Sequence, residues 1–260
     1  MLKFAANLSM LWSDLDVYDR FGAAAEAGFS RVEILFVHAL DLGRIARLLQ
    51  EHHLELVLFD PSAGDWDGGE RGLACNPGRK SDFQRSIHEA LEAAQRLGVQ
   101  RLNVLTGIPQ PDVTPDRAHT MVVENFGWAA PMAESAGIKL LVENINTTDF
   151  PGYYVSSIER AVQVVQDVDR PNVRVQLDQY HVGMVGGDAR AALREYLPLV
   201  EHVQIADVPG RHQPGTGQQP IREFLADLDG LGYAGAVGLE YRPSGATDAS
   251  LEWLPRSQRG

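Results

Sequence analysis

Val173-Arg174-Val175-Gln176-Leu177-Asp178-Gln179-Tyr180-His181 alternates branched apolar and polar residues, then stops at a carboxylate followed by an aromatic ring and an imidazole. A buried parallel strand ends this way when its last side chains must reach a site in solvent. Three other stretches end alike. Leu140-Leu141-Val142 runs into Glu143-Asn144, His202-Val203-Gln204-Ile205 into Ala206-Asp207, and Ala236-Val237-Gly238-Leu239 into Glu240-Tyr241. Each end delivers an oxygen-bearing side chain, and Glu143, Asp178, Gln204 and Glu240 brought together would cage a hard divalent cation. A carboxylate on so apolar a strand is costly unless it is paired or metal-bound. Three carboxylates and one amide oxygen suit Mg²⁺ or Mn²⁺ better than Zn²⁺.

The rest of the chain repeats the same unit. Strands are predicted at residues 3–7, 31–35, 54–60, 101–105, 139–143, 173–178, 202–205 and 236–240. Helical patterns follow them at 16–26, 43–52, 81–97, 115–135, within 155–167, at 188–196 and at 221–228, with a short closing helix at 249–253. Gly28, Gly98 and Gly137 stand where helices stop, and Ser81 and Thr114-Pro115 where they start. Strict alternation implies a parallel sheet, and eight repeats in 260 residues favour closure into a single (β/α)₈ TIM barrel. No linker or change of composition divides the chain, so residues 1–260 read as one domain. No GxGxxG follows the first strand, which argues against a nucleotide cofactor.

Two stretches break the pattern. Residues 61–79 hold five glycines with Trp66, Arg71 and Cys75 between them. A loop of this length without structure of its own is expected to be a lid rather than a floppy insertion. Residues 255–260 read as a loose tail.

The 23 basic and 35 acidic residues leave a net charge of −12, which argues against nucleic acid and anionic membrane as partners. An anionic substrate would need a local cationic clamp. No leader pattern and no long apolar run is seen, and the lone Cys75 forbids an intrachain disulfide, so a reducing cytoplasm is expected. Cys75 has no suggested His or Asx partner and is not read as a nucleophile. Oligomerisation of identical copies stays open.

Several segments resemble the hydroxypyruvate isomerases, of the xylose-isomerase-like TIM-barrel superfamily. They are Asn7-Leu8-Ser9-Met10-Leu11, Ala63-Gly64-Asp65-Trp66 with Gly69-Glu70-Arg71-Gly72, Val142-Glu143-Asn144-Ile145-Asn146, Asp178-Gln179-Tyr180-His181, His202-Val203-Gln204-Ile205-Ala206-Asp207 and Pro214-Gly215-Thr216-Gly217. The resemblance runs in order over nearly the whole chain. It implies that Glu143 and Glu240 exchange protons with the substrate, while Glu143, Asp178, Gln204 and Glu240 surround the cation. Hydroxypyruvate and tartronate semialdehyde interconvert through an enediolate, which requires a base, an acid and stabilisation of charge developing on oxygen. Arg71 on the lid, Arg211 and His181 are candidates to clamp the small hydroxy- or oxo-acid substrate, and Trp66 to exclude water.

Other readings stay open. A longer 2-oxo acid such as a 2-oxo-tetronate would use the same machinery. Related ketose epimerases usually carry histidine where Gln204 stands. An endonuclease on this barrel would want several histidines and more than one metal. A non-catalytic binder of sugar acids is the reading from another class. Asp207 reads equally as a partner of the site or as a helix cap.

Overall fold

The computed structural model describes residues 1–260. Eight parallel strands close in chain order: β1 (Lys3–Asn7), β2 (Arg31–Phe36), β3 (Glu55–Asp60), β4 (Arg101–Asn103), β5 (Lys139–Glu143), β6 (Val173–Asp178), β7 (Val200–Ile205) and β8 (Ala236–Leu239), with β8 paired to β1. Around them lie α1 (Asp19–Glu26), α2 (Leu42–Glu51), α3 (Lys80–Leu97), α4 (Pro115–Ser135), α5 (Ile158–Val168), α6 (Gln179–Met184), α7 (Ala189–Tyr196), α8 (Ile221–Gly230) and α9 (Thr247–Ser250). This is a (β/α)₈ TIM barrel. No helix is long and apolar enough to cross a membrane.

Local chemistry sets the element ends. Asp41 caps α2 by accepting from the backbone N–H of Gly43 and Arg44 at 2.8 and 3.0 Å, and Ile45 and Leu49 turn inward. Ser157 caps α5, and α3 stops where Gly98 takes the left-handed conformation at φ 72°. Three helices differ from expectation, the closing one, α9, falling at Thr247–Ser250 rather than at 249–253. α1 starts at Asp19 rather than near Asp16, because Arg20 satisfies the carbonyls of Leu8, Ser13 and Leu15 and holds the preceding turns open. α6 follows β6 without a loop, since Asp178 caps it by accepting from Tyr180 N–H at 2.7 Å.

The barrel interior is layered. Lys139 and Arg101 meet Glu201 at 2.7 and 2.9 Å towards the N-terminal ends of the strands. Ala5, Val57, Leu58, Leu141 and Ala236 form a small buried apolar cluster, separate from the main core under the helices. Above it, the C-terminal half of the barrel is polar.

Residues 61–79 are better ordered than a bare loop. Only the turn around Asp65–Arg71 projects, while Leu73, Ala74 and Cys75 are buried and Cys75 N–H bonds Thr106 O at 2.9 Å. At Gly72 (φ 129°) a Cβ would stand 2.4 Å from Leu105 O, so glycine is required where this segment crosses the end of β4. Burial pushes the Cys75 thiol up to about 12, which makes it a poor nucleophile. The tail is not loose either. Arg259 donates to the carbonyls of Ala27, Leu251 and Leu254 at 2.8–2.9 Å, and Arg256 bonds Glu26 O, stitching the C-terminus to α1.

Candidate active site

Every strand brings at least one polar side chain to the C-terminal half of the barrel. Among them are Asn7, Glu33, Asp60, Asn103, Glu143, Asp178, Gln204 and Glu240, the last lying one residue beyond β8, and all eight are buried. Burying five carboxylates together is unfavourable without compensation, so their partners define the site.

Glu143, Asp178 and Glu240 meet around Arg211. The Arg211 guanidinium lies 2.8 Å from Glu240 Oε2 and 3.5 Å from Asp178 Oδ2. Its approach to Glu240 is out of line for a hydrogen bond, which leaves that oxygen charge-paired but without a donor. Asn103 Nδ2 donates to Glu143 Oε2 at 2.6 Å. Burial dominates the acidities. It raises Glu143 well above the usual carboxylate range, with Glu240 and Asp178 adding repulsion. Burial lifts Glu240 to about 8 and Asp178 to about 6, in each case against the pull of Arg211.

Arg211 reaches the site because Asp207 organises the loop that carries it. The Asp207 carboxylate accepts from the backbone N–H groups of Val208, Gly215, Gly217 and Gln219 at 2.9–3.0 Å. A Cβ at Gly217 would stand 2.6 Å from Asp207 Oδ1. Asp207 is thus the keystone of the β7–α8 loop, neither a helix cap nor a group turned into the site.

Gln204 stands beside Asp178 in the register of β6 and β7, but its amide is already engaged. Its Nε2 donates to Glu33 Oε1 at 2.9 Å, and its Oε1 accepts from Gln176 Nε2 at 2.6 Å. Glu33 is wholly buried and also takes Asn7 Nδ2 at 2.9 Å and His202 Nε2 at 2.8 Å. Because a carboxylate only accepts, Glu33 fixes the nitrogen end of Gln204. His181 projects from α6 against the carboxylates, its Nε2 lying 3.4 Å from Asp178 Oδ2 and 3.8 Å from Glu143 Oε1.

Trp66 and Arg71 are not in this cluster. They stack on each other in the projecting turn, the guanidinium 4.2 Å over the indole, and Arg71 Nη1 donates to the carbonyls of Trp66 and Glu70 at 2.7 Å. Trp66 packs edge-on between Phe36 and Phe150, and with Met10, Phe36 and Arg242 it lines a cavity of about 650 Å³. As a clamp for the carboxylate of a substrate, Arg71 is therefore worse placed than Arg211.

Ligand atoms of Glu143, Asp178 and His181 lie within 4.8 Å of one another, so this buried group could hold a metal ion. Three buried carboxyl groups share one arginine, so without a further cation they must hold protons, and Glu240 Oε2 lacks a donor. Such a donor set fits a hard dication.

Sequence reasoning left out Asp60, Glu33 and His202. Asp60 ends β3 as Asp178 ends β6, so the strand-end signal was present there too. Burial and the nearby Glu240 and Glu33 raise its pKa well above the usual range, and its Oδ1 has no partner. Glu33 and His202 lie inside strands, where nothing local marks them.

Residues 21–257 match the family model described as xylose isomerase-like TIM barrel. The chain is 39% identical to a 2-oxo-tetronate isomerase of Cupriavidus necator, over 98% of each chain. It is 36% identical to the hydroxypyruvate isomerase of Escherichia coli, again over 98% of each. Among solved structures, one titled AP endonuclease, family 2, from Brucella melitensis superimposes with a TM-score of 0.95, at 40% identity and 98% coverage of each chain.

Proposed function

The chain belongs to the xylose isomerase-like TIM-barrel family, and on that premise we propose that it is a sugar-acid isomerase, interconverting hydroxypyruvate and tartronate semialdehyde (2-hydroxy-3-oxopropanoate). The observation that carries this reading is the meeting of Glu143 and Glu240, from β5 and the end of β8, in one buried group with Asp178 and a single arginine.

The proton moves between neighbouring carbons by way of an enediolate. Glu143 and Glu240 serve as base and acid, exchanging roles with the direction of reaction. Glu240, lifted to about 8 by burial against the pull of Arg211, can both take up and release a proton near neutral pH. Asn103 steadies the Glu143 carboxylate through its 2.6 Å hydrogen bond. Arg211 turns its fork to the substrate carboxylate, the local cation that an acidic protein must supply. Glu143, Asp178 and Glu240, with Gln204 through the Oε1 lone pair that Gln176 leaves it, would hold Mg²⁺ or Mn²⁺, which would supply Lewis-acid stabilisation of charge on the substrate oxygens. Trp66 and Arg71 form the lid turn that excludes water, so that the enediolate is protonated only by the enzyme.

A four-carbon 2-oxo-tetronate is the second reading, favoured by the 39% identity to the Cupriavidus necator 2-oxo-tetronate isomerase. An endonuclease reading is not supported by a net charge of −12 or by a carboxylate cluster with one adjoining histidine. The test is a screen of purified protein, with and without Mg²⁺ or Mn²⁺, against hydroxypyruvate and four-carbon 2-oxo acids. Absence of isomerisation on all of them, with ligand binding retained, would leave a binder of sugar acids instead.

A further inference from the structure

The side chain of Asn146 is wholly buried between the β5–α5 loop and α6, and the direction of its amide is not free. Its Oδ1 accepts from the backbone N–H of Thr148 at 2.9 Å and of Asp149 at 2.8 Å. Backbone N–H groups can only donate, so the other end of the amide must be nitrogen. That nitrogen donates to Asp149 Oδ2 at 3.0 Å and faces His181 Nδ1 at 2.6 Å. Tyr180 O–H donates to the same Asp149 oxygen at 2.8 Å, so the carboxylate is held in place as an acceptor. An N–H pointing at Nδ1 leaves that ring nitrogen one role, as acceptor. A proton on Nδ1 would set two donors 2.6 Å apart. The ring proton must therefore sit on Nε2, which has no hydrogen-bond partner and lies between Asp178 and Glu143.

We propose that Asn146 is a positioning residue that locks His181 as its Nε2–H tautomer, making His181 a hydrogen-bond donor to the substrate oxygens and barring its Nε2 from the ligands of the cation. The inference rests on the isomerase reading for its catalytic meaning, and on hydrogen-bond geometry alone for the tautomer. A fixed N–H aimed where negative charge develops stabilises an enediolate without itself giving up the proton. Although Glu143, Asp178 and His181 are close enough to bind a metal together, only the carboxylates have lone pairs free to do so.

The test is ¹H–¹⁵N correlation of ring nitrogens in protein labelled at histidine, with His181 identified by the signals lost in His181→Gln. The expected spectrum has an unprotonated Nδ1 and a protonated Nε2 that keeps its proton in saturating Mg²⁺. In Asn146→Asp the turn keeps an acceptor oxygen but sets a second one against Nδ1, so the tautomer should invert to Nδ1–H. With an isomerised substrate, that variant should lose roughly 100-fold in kcat with little change in KM. His181→Gln, which keeps a donor, should retain more activity than His181→Leu. A protonated Nδ1 in the wild-type protein, loss of the Nε2 proton on adding Mg²⁺, or an unaltered tautomer in Asn146→Asp would overturn the proposal. The spectra need no substrate, so failure of the isomerase reading would show separately, as absent turnover beside the expected tautomer.

Discussion

Arg211 Nη2 lies 2.8 Å from Glu240 Oε2 yet makes no aligned hydrogen bond with it. The contact is charge pairing, which holds the carboxylate without tying the guanidinium to one geometry. Because Arg211 pulls the Glu240 pKa down against burial, Arg211→Met should raise it beyond about 8. Whichever proton role Glu240 has, its limb of the kcat/KM–pH profile should move to higher pH. Arg211→Lys should leave that limb nearer its place but lower kcat/KM roughly 100-fold, since a point charge does not replace a planar fork. A profile that stays put in Arg211→Met would contradict the pairing.

Glu143→Gln and Glu240→Gln should each lower kcat by roughly 10²- to 10⁴-fold, the usual worth of a positioned acid or base. The folds should survive, because each swap replaces a buried carboxylate by a neutral group of the same shape. In the first, the new amide oxygen can still accept from Asn103. Wild-type turnover in D₂O should place deuterium on the substrate carbon that gains the proton. Transfer without solvent uptake would indicate a hydride shift instead.

Stability should fall with rising pH when no divalent cation is present. Glu143, Asp178 and Glu240 all have folded-state pKa values above the unfolded ones, so the folded protein binds more protons than the unfolded chain. Their contribution therefore worsens as pH rises from about 4.5 towards about 8. A cation that replaces those protons should raise Tm more at pH 8 than at pH 5. Thermal melts across pH, with EDTA and with Mg²⁺ or Mn²⁺, check the sign. A cation-induced shift that is larger at pH 5 would refute it.

Gly238 has no room for a side chain because the Glu33 carboxylate fills that space. A Cβ at position 238 would stand 2.4 Å from both Glu33 carboxylate oxygens. Gly238→Ala should cost about 1–3 kcal/mol through overpacking of a rigid interior, read as a lower Tm. Displacing Glu33 also frees the amide of Gln204, so cation affinity measured by calorimetry should weaken. An unchanged Tm would mean that the carboxylate yields at no cost.

The sequence by itself determined the order of elements and the places where chemistry could sit. Alternation along residues 173–178 and its seven counterparts is a local property, set by the two-residue period of a strand, and repeated β/α units leave few ways to bury their apolar faces. The ends at Glu143, Asp178, Gln204 and Glu240 were legible for the same reason. Asp60 carried that signal too, but a carboxylate closing a strand looks the same whether it enters a barrel or caps a helix. Asp178 closes its strand and caps α6 at once, and α6 is too short to leave a pattern in sequence. Only the tertiary structure decided which side chains meet. Glu33 and His202 are 169 residues apart and lie mid-strand, and irregular register between β2 and β3 and between β6 and β7 defeats counting of inward positions. Arg211 reaches Glu240 because Asp207 gathers four backbone amides into one loop, and His181 receives its donor from Asn146 across two elements. Closing the barrel brings such groups within hydrogen-bond reach, and burial then compels each to find its partner.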